Sequence, residues 1–198
     1  MNDTYLSIDL DYWEKLPFPT DFFHSIFRSG FPIRVVNHHQ QLIAHVDKLH
    51  CHDLINIDWH SDLANGVVED GKGMVFNCGT WINFVKKPRH FQWYYPSNMC
   101  LSNESHGGYC HVGRNNPFIA KDPKAVCGWE KVEHIKGLPD PWYSNVKGIG
   151  IAISAYWGGD VHYEAFRKLW RQYEPQKVKN FRVNVDMDAF NWERPFIR

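Results

Sequence analysis

Short apolar runs and stretches of helical period alternate along the first third of this chain. Tyr5-Leu-Ser-Ile-Asp9 is a brief apolar run of the kind that forms a buried strand. Thr20 is placed to cap a helix whose inward face is Phe22, Phe23, Ile26 and Phe27, with Gly30 to end it. Pro32-Ile-Arg-Val-Val36 reads as a second strand. Gln40 to His50 follows as a helix that turns Leu42, Ile43, Val46 and Leu49 inward. Leu54-Ile-Asn-Ile57 is the third strand. Strand, helix, strand, helix, strand in this order predicts parallel pairing through right-handed crossovers.

From about Asn65 to Trp142 the pattern is less regular, rich in Gly, Pro, Asn and aromatics, with one helix-like stretch near Thr80 to Val85. Periodicity returns at Gly148-Ile-Gly-Ile-Ala-Ile-Ser154, a near-continuous apolar strand. Val161 to Tyr173 has Val161, Ala165, Phe166, Leu169, Trp170 and Tyr173 at helical spacing, and Phe181 to Val185 is the last strand. No linker, low-complexity tract or charge block interrupts the chain. The expectation is one domain over residues 1–198, of α/β class, with three αβα layers around a mostly parallel sheet.

In open parallel sheets, ligands bind beyond the carboxyl ends of the strands, and the polar clusters of this chain fall there. Asp58-Trp-His60-Ser-Asp62 follows the third strand. Alternate positions on an extended segment share a face, so two carboxylates and an imidazole are expected to meet at one point. Asp186-Met-Asp188 ends the last strand, Asp9-Leu-Asp11 ends the first, and His38-His39 follows the second. A lone Asp-x-Asp pair most often caps a helix or makes a turn. Several carboxylates and imidazoles buried together need a counter-charge, and an oxygen-rich set with some imidazole suits manganese- or magnesium-like ions.

Composition narrows the classes. Lys plus Arg and Asp plus Glu balance at 22 each, with no basic stripe, which disfavours a nucleic-acid partner. No apolar run reaches membrane-span length and the amino terminus lacks a signal-peptide pattern, so no membrane partner and a cytoplasmic location are expected. The five cysteines are odd in number and form no Cys-x-x-Cys pair, so they read as reduced thiols rather than a closed zinc site. The aromatics, nine Trp among them, are read as core or as subunit contacts, which leaves a homo-oligomer among the expected states. Trp59 and Phe91-Gln-Trp-Tyr-Tyr95 have a further reading, as a cleft rim that grips a peptide.

In chain order, a strand-end His, then Asp-x-His-x-Asp, then Asp-x-Asp resemble the arginase/ureohydrolase superfamily. The short length, the Ile8-Asp-Leu-Asp-Tyr-Trp13 start and the Asp58-Trp-His-Ser-Asp62 run resemble its compact arginase-like group, which includes peptide arginases of ribosomal peptide maturation. The resemblance is specific over residues 1–64 and 148–190. It implies an arginase-like fold, shortened or rearranged, holding two Mn²⁺ ions on His39, Asp58, His60, Asp62, Asp186 and Asp188. Asp58 and Asp186 would bridge the ions. His39, preferred to His38, and Asp62 would complete one shell, and His60 and Asp188 the other.

Two ions about 4 Å apart activate water near neutral pH, and the family directs that nucleophile at a guanidinium carbon. His106, in Ser102-Asn-Glu-Ser-His-Gly-Gly108, resembles the family's proton-shuttling His-Gly loop, with His111 and His90 behind it and Glu104 as a further guanidinium acid. The family's own guanidinium-binding carboxylate follows the Asp-x-Asp strand, and here the sequence ends ten residues after Asp188. Asp9 and Asp11 are therefore assigned to substrate. A rival assignment exchanges the pairs, making Asp9 and Asp11 the metal ligands and Asp186 and Asp188 peripheral.

The function so implied is a Mn-dependent hydrolase of linear amidines, a peptide arginase that converts arginine residues of a peptide to ornithine and releases urea. Two alternatives stand beside it. One is an amide hydrolase or deacetylase of the same superfamily with one zinc. The other is a non-catalytic, metal-holding module that binds peptides.

Overall fold

The computed structural model describes residues 3–62, 78–98, 129–139, 145–154, 160–173 and 181–183. Its strands are β1 (Thr4–Asp9), β2 (Ile33–Val36), β3 (Asp53–Ile57), β4 (His90–Tyr95), β5 (Lys131–Lys136), β6 (Val146–Ala152) and β7 (Phe181–Val183). They pair side by side in the order β5-β4-β3-β1-β6-β2-β7, every pairing parallel. The helices are α1 (Thr20–Arg28), α2 (Ile43–Leu49) and α3 (Asp160–Tyr173), with 3-10 turns at Leu10–Trp13, His39–Leu42 and Cys78–Phe84.

Side-chain alternation along the central strands creates two cores, and hence three layers. Leu6 and Ile8 of β1 and Ile55 and Ile57 of β3 join Phe23, Ile26 and Phe27 of α1 and Tyr163, Phe166 and Trp170 of α3. Tyr5 and Leu54, one residue out of phase, join Leu42 and Val46 with Trp81, Ile82, Phe91 and Trp93 on the opposite face. The chain is thus a three-layer α/β/α fold. No helix among the described residues is long and apolar enough to cross a membrane.

The central position of β1 decides which polar residues meet. It pairs with β3 on one side, Ile8 against Ile57, and with β6 on the other, Asp9 against Ala152. The carboxylates that end the first strand therefore lie beside those that follow the third. The strand that leads toward Asp186 and Asp188 is β7, at the sheet edge beyond β6 and β2.

Several elements differ from the sequence expectation. β4 and β5 occupy the region read as irregular. His90-Phe-Gln-Trp-Tyr-Tyr95 is a strand whose Phe91 and Trp93 are fully buried, so these rings are core. Thr20 is the first residue of α1 rather than its cap; Pro19 holds the cap position and no side chain caps the end. The helix expected from Gln40 divides into the 3-10 turn His39–Leu42 and α2, which ends at His50 in the left-handed region, φ 52°. Gly150 of β6 lies under that junction: a methyl group there would come within 2.6 Å of both Leu42 Cδ1 and Tyr5 Oη.

Candidate metal centre

Four carboxylates and two imidazoles converge where β1, β3 and the turn after β2 end. Asp9 is the last residue of β1, and Asp11 lies in the 3-10 turn that follows. Asp58 comes directly after β3, its N–H still bonded to Tyr94 O of β4 at 3.1 Å. The chain then leaves the extended conformation. His60 N folds back to donate to Asp58 Oδ1 at 2.7 Å, and Asp62 takes a left-handed φ of 55°. His60 and Asp62 thus join Asp58 through a turn, not through strand alternation. Side-chain alternation operates one step earlier, putting Ser7 with Asp9 and Asn56 with Asp58 on the α2 face of the sheet.

His39 is the hub. Its Nδ1 lies 2.8 Å from Asp62 Oδ2, 3.2 Å from Asp58 Oδ2 and 3.4 Å from Asp9 Oδ2, while Nε2 meets Ser7 Oγ at 3.2 Å. Its neighbour His38 instead heads the 3-10 turn through its backbone, the carbonyl accepting from Gln41 N at 3.0 Å and the N–H donating to Gln41 Oε1 at 3.1 Å. On the other side, His60 Nδ1 is 2.9 Å from Asp11 Oδ2 and 3.8 Å from Asp58 Oδ1. Two groups of three donors result, Asp9/His39/Asp58 and Asp11/Asp58/His60, with Asp58 common to both. Within each group the ligand atoms lie within 4.8 Å of one another, a spacing that admits a shared cation.

Further side chains fix the carboxylates. Ser154 Oγ donates to Asp9 Oδ2, Asn56 Nδ2 to Asp58 Oδ2 at 3.0 Å, and Trp81 Nε1 to Asp62 Oδ2 at 2.6 Å. Asp11 Oδ1 accepts the Trp59 N–H at 3.2 Å, tying the β1 turn to the β3 turn, and Trp93 Nε1 holds the Asp58 carbonyl at 2.9 Å. Supports of this kind orient ligand atoms and tune their basicity. Sequence reasoning passed over Ser7, Asn56, Ser154 and Trp81. The available signal was a polar residue two positions before the carboxylate in an otherwise apolar strand, as at Ser7 and Asn56.

Electrostatically, acidic groups outnumber basic ones in the cluster, four carboxyls to two imidazoles. Asp9, Asp11, Asp58 and Asp62 are all buried. Burial pushes the Asp9 carboxyl up to about 6, against the opposing pull of His39. Asp11 is raised well above the usual carboxylate range by burial and by the Asp9 and Asp58 charges. Asp62 rises through burial and the Asp58 charge. For Asp58, burial is overcome by its hydrogen bond and charge attraction to His39, which hold it at about 2. His39 is itself raised well above its usual value, because Asp9, Asp58 and Asp62 outweigh the effect of burial. Protons on His39 and the high carboxyls offset part of the excess negative charge. A divalent cation would offset it more fully, since burying unpaired carboxylates is costly.

The donor set fits such an ion. It is dominated by carboxylate oxygen and contains two imidazoles. Asn56, bonded to Asp58 through Nδ2, has its Oδ1 buried without a hydrogen-bond partner among the described residues. Of the residues singled out in the sequence, Asp9, Asp11, His39, Asp58, His60 and Asp62 come together. Asp9 and Asp11, assigned there to substrate, stand among the ligand atoms. Asp186, Asp188, His106, Glu104 and His111 lie outside the described residues, and His90 is at the amino end of β4, away from the cluster. Comparison with known protein families, curated proteins and solved structures gives no match for this chain.

Proposed function

We propose that this chain is a manganese-dependent hydrolase of the arginase type, acting on arginine side chains within a peptide to give ornithine and urea. The observation that carries the reading is the pair of overlapping donor groups that share Asp58. A single closed zinc site needs one such group, so the overlap favours two ions over the one-zinc amide hydrolase. Asp9, His39, Asp58 and Asp62 would hold one ion, and Asp11, Asp58 and His60 the other. Asp9 and Asp11 then take the places first given to Asp186 and Asp188. The sequence resemblance supplies the substrate class.

Bound manganese would supply the Lewis acidity that makes water a competent nucleophile near neutral pH. Water adds at the guanidinium carbon, the bond from that carbon to the side-chain nitrogen breaks, and the departing nitrogen leaves protonated as the ornithine ammonium. The charge balances, with guanidinium and water giving ammonium and neutral urea. His39, ringed by three carboxylates and Ser7, would serve as a metal ligand and is too buried to meet substrate. His60 has 19% of its side chain exposed and is oriented through Nδ1 by Asp11, so it marks the side from which substrate enters. Lys15 lies over the Trp59 ring, 5.0 Å from its centroid, at the same turn. His106 remains the residue proposed to deliver a proton to the leaving amine.

The test is urea release by the Mn²⁺-loaded protein from an arginine-containing peptide, with free arginine and agmatine in parallel. Urea and ornithine from the peptide are expected. Urea from free arginine alone would overturn the peptide specificity. No urea from any of them, with two manganese ions bound, would overturn the arginase reading in favour of amide hydrolysis or a silent module.

A further inference from the structure

A second group of ligating side chains lies at the opposite end of the sheet. His52 directly precedes β3, His90 opens β4 and Glu130 directly precedes β5. Because the three strands are parallel and adjacent, these residues share the amino end, roughly 20 Å along the strand direction from Asp58. The backbone fixes their register. Arg89 N and His90 N both donate to His52 O, at 2.8 and 3.2 Å, and Glu130 N donates to Arg89 O at 2.8 Å. The ligand atoms of His52, His90 and Glu130 lie within 4.8 Å of one another.

Asp53 gives the arrangement its chemistry. Its Oδ1 is 2.8 Å from His52 Nδ1 and 3.2 Å from His90 Nδ1, so one carboxylate oxygen orients both rings. Accepting from Nδ1 assigns the proton of each neutral ring to that nitrogen and the lone pair to Nε2. A carboxylate behind the far nitrogen is the usual support of a metal-bound histidine. The two rings stand edge to face with centroids 4.4 Å apart, and His90 Nε2 faces Glu130 Oε2 at 3.8 Å. Ligands about 2.0–2.2 Å from a tetrahedral ion lie roughly 3.3–3.6 Å from each other, so a small movement of the exposed Glu130 side chain closes the shell.

We propose that His52, His90 and Glu130 form a separate cation site for a first-row transition ion of the zinc class, with Asp53 as its orienting carboxylate. The donor set distinguishes it from the first centre. Two imidazoles and one carboxylate suit Zn²⁺ better than Mn²⁺, whereas the carboxylate-rich cluster at the other end has the reverse preference. An ion here would join the amino ends of β3, β4 and β5 and stabilise that half of the sheet by binding the folded chain alone. Three protein ligands leave a fourth position for water or an incoming group. This inference stands whether or not the first centre hydrolyses arginine.

The test is calorimetric titration of tag-free, EDTA-stripped protein with ZnCl₂, comparing wild type with His90→Ala, Glu130→Gln and Asp53→Asn. His90→Ala is expected to bind one equivalent fewer than wild type, and Glu130→Gln to bind that equivalent at least ten-fold more weakly. Asp53→Asn, which leaves all three ligands in place, is expected to weaken it by about 10- to 100-fold. Glu130 is surface-exposed, so its variant reports on the site even if His90→Ala folds poorly. The same zinc stoichiometry and affinity in wild type and Glu130→Gln would overturn the proposal. So would an Asp53→Asn protein that binds as wild type does.

Discussion

Replacing Asp9 by Asn should make the metal-free protein more stable and the metal-loaded protein less so. In the wild type, burial raises the Asp9 carboxyl from 3.8 to about 6. A raised carboxylate value means that the folded state binds the proton more tightly than the unfolded state. Its contribution is therefore fully present below pH 3.8, fades as pH rises, and is gone above about 6. Across that window the metal-free fold loses about 3 kcal/mol from this group. Asparagine is nearly the same shape and cannot ionise, so the loss disappears. Against this, Asp9 accepts from Ser154 Oγ and from Asp11 N at 3.1 Å, and an amide retains the acceptor for only one of them without rearrangement. One lost hydrogen bond costs about 1–2 kcal/mol, leaving a net gain of about 1–2 kcal/mol at pH 7.5. For a chain of this length that is a Tm higher by roughly 2–8 °C in EDTA. Thermal unfolding in EDTA and in MnCl₂ reads both halves of the expectation, with the manganese-induced rise in Tm lost in the variant. An Asp9→Asn protein that is less stable than wild type in EDTA, yet keeps the full manganese shift, would refute the reasoning.

Manganese binding should release protons, because His39 is held protonated well above its usual value and Asp9 titrates near 6. Calorimetry at pH 6.5 in two buffers of different ionisation enthalpy is expected to show at least one proton released per chain, with affinity falling steeply as pH drops through 6. Trp81→Phe removes the 2.6 Å donor to Asp62 Oδ2 and should lower stability by about 2 kcal/mol in urea denaturation, with a weaker manganese shift. Gly150→Ala drives a methyl group into Leu42 and the Tyr5 hydroxyl and should cost about 1–3 kcal/mol by the same assay, with metal content per folded chain unchanged.

Much of the fold is legible from periodicity because its central strands are short, mostly apolar runs buried on both faces and its longer helices bury one clear face each. β1, β2, β3, β6, α1 and α3 all carry apolar residues at the spacing their structure requires. β4 and β5 are not legible in that way. β4 is aromatic on both faces, and β5 is the charged edge strand Lys-Val-Glu-His-Ile-Lys, half-exposed along most of its length. Neither shows the clean apolar run of an interior strand. At the site, the Asp-x-His-x-Asp run marks the right residues but for a reason that holds only in part. Asp58 follows the sheet's alternation, whereas His60 and Asp62 arrive through a turn closed by Asp58 itself and by a left-handed residue. Which Asp-x-Asp pair joins them depends on strand order. That Asp9 and Asp11 join them follows from β1 lying between β3 and β6, a long-range placement with no local signature.

The most direct test of the account is the manganese content of Asp11→Asn and Asp186→Asn prepared side by side. Asp11 reaches His60 and Trp59 within the cluster, so its variant should bind substantially less manganese than wild type. Asp186→Asn should keep the wild-type content. Full manganese in Asp11→Asn together with loss in Asp186→Asn would contradict the assignment of the β1 carboxylates to the metal centre.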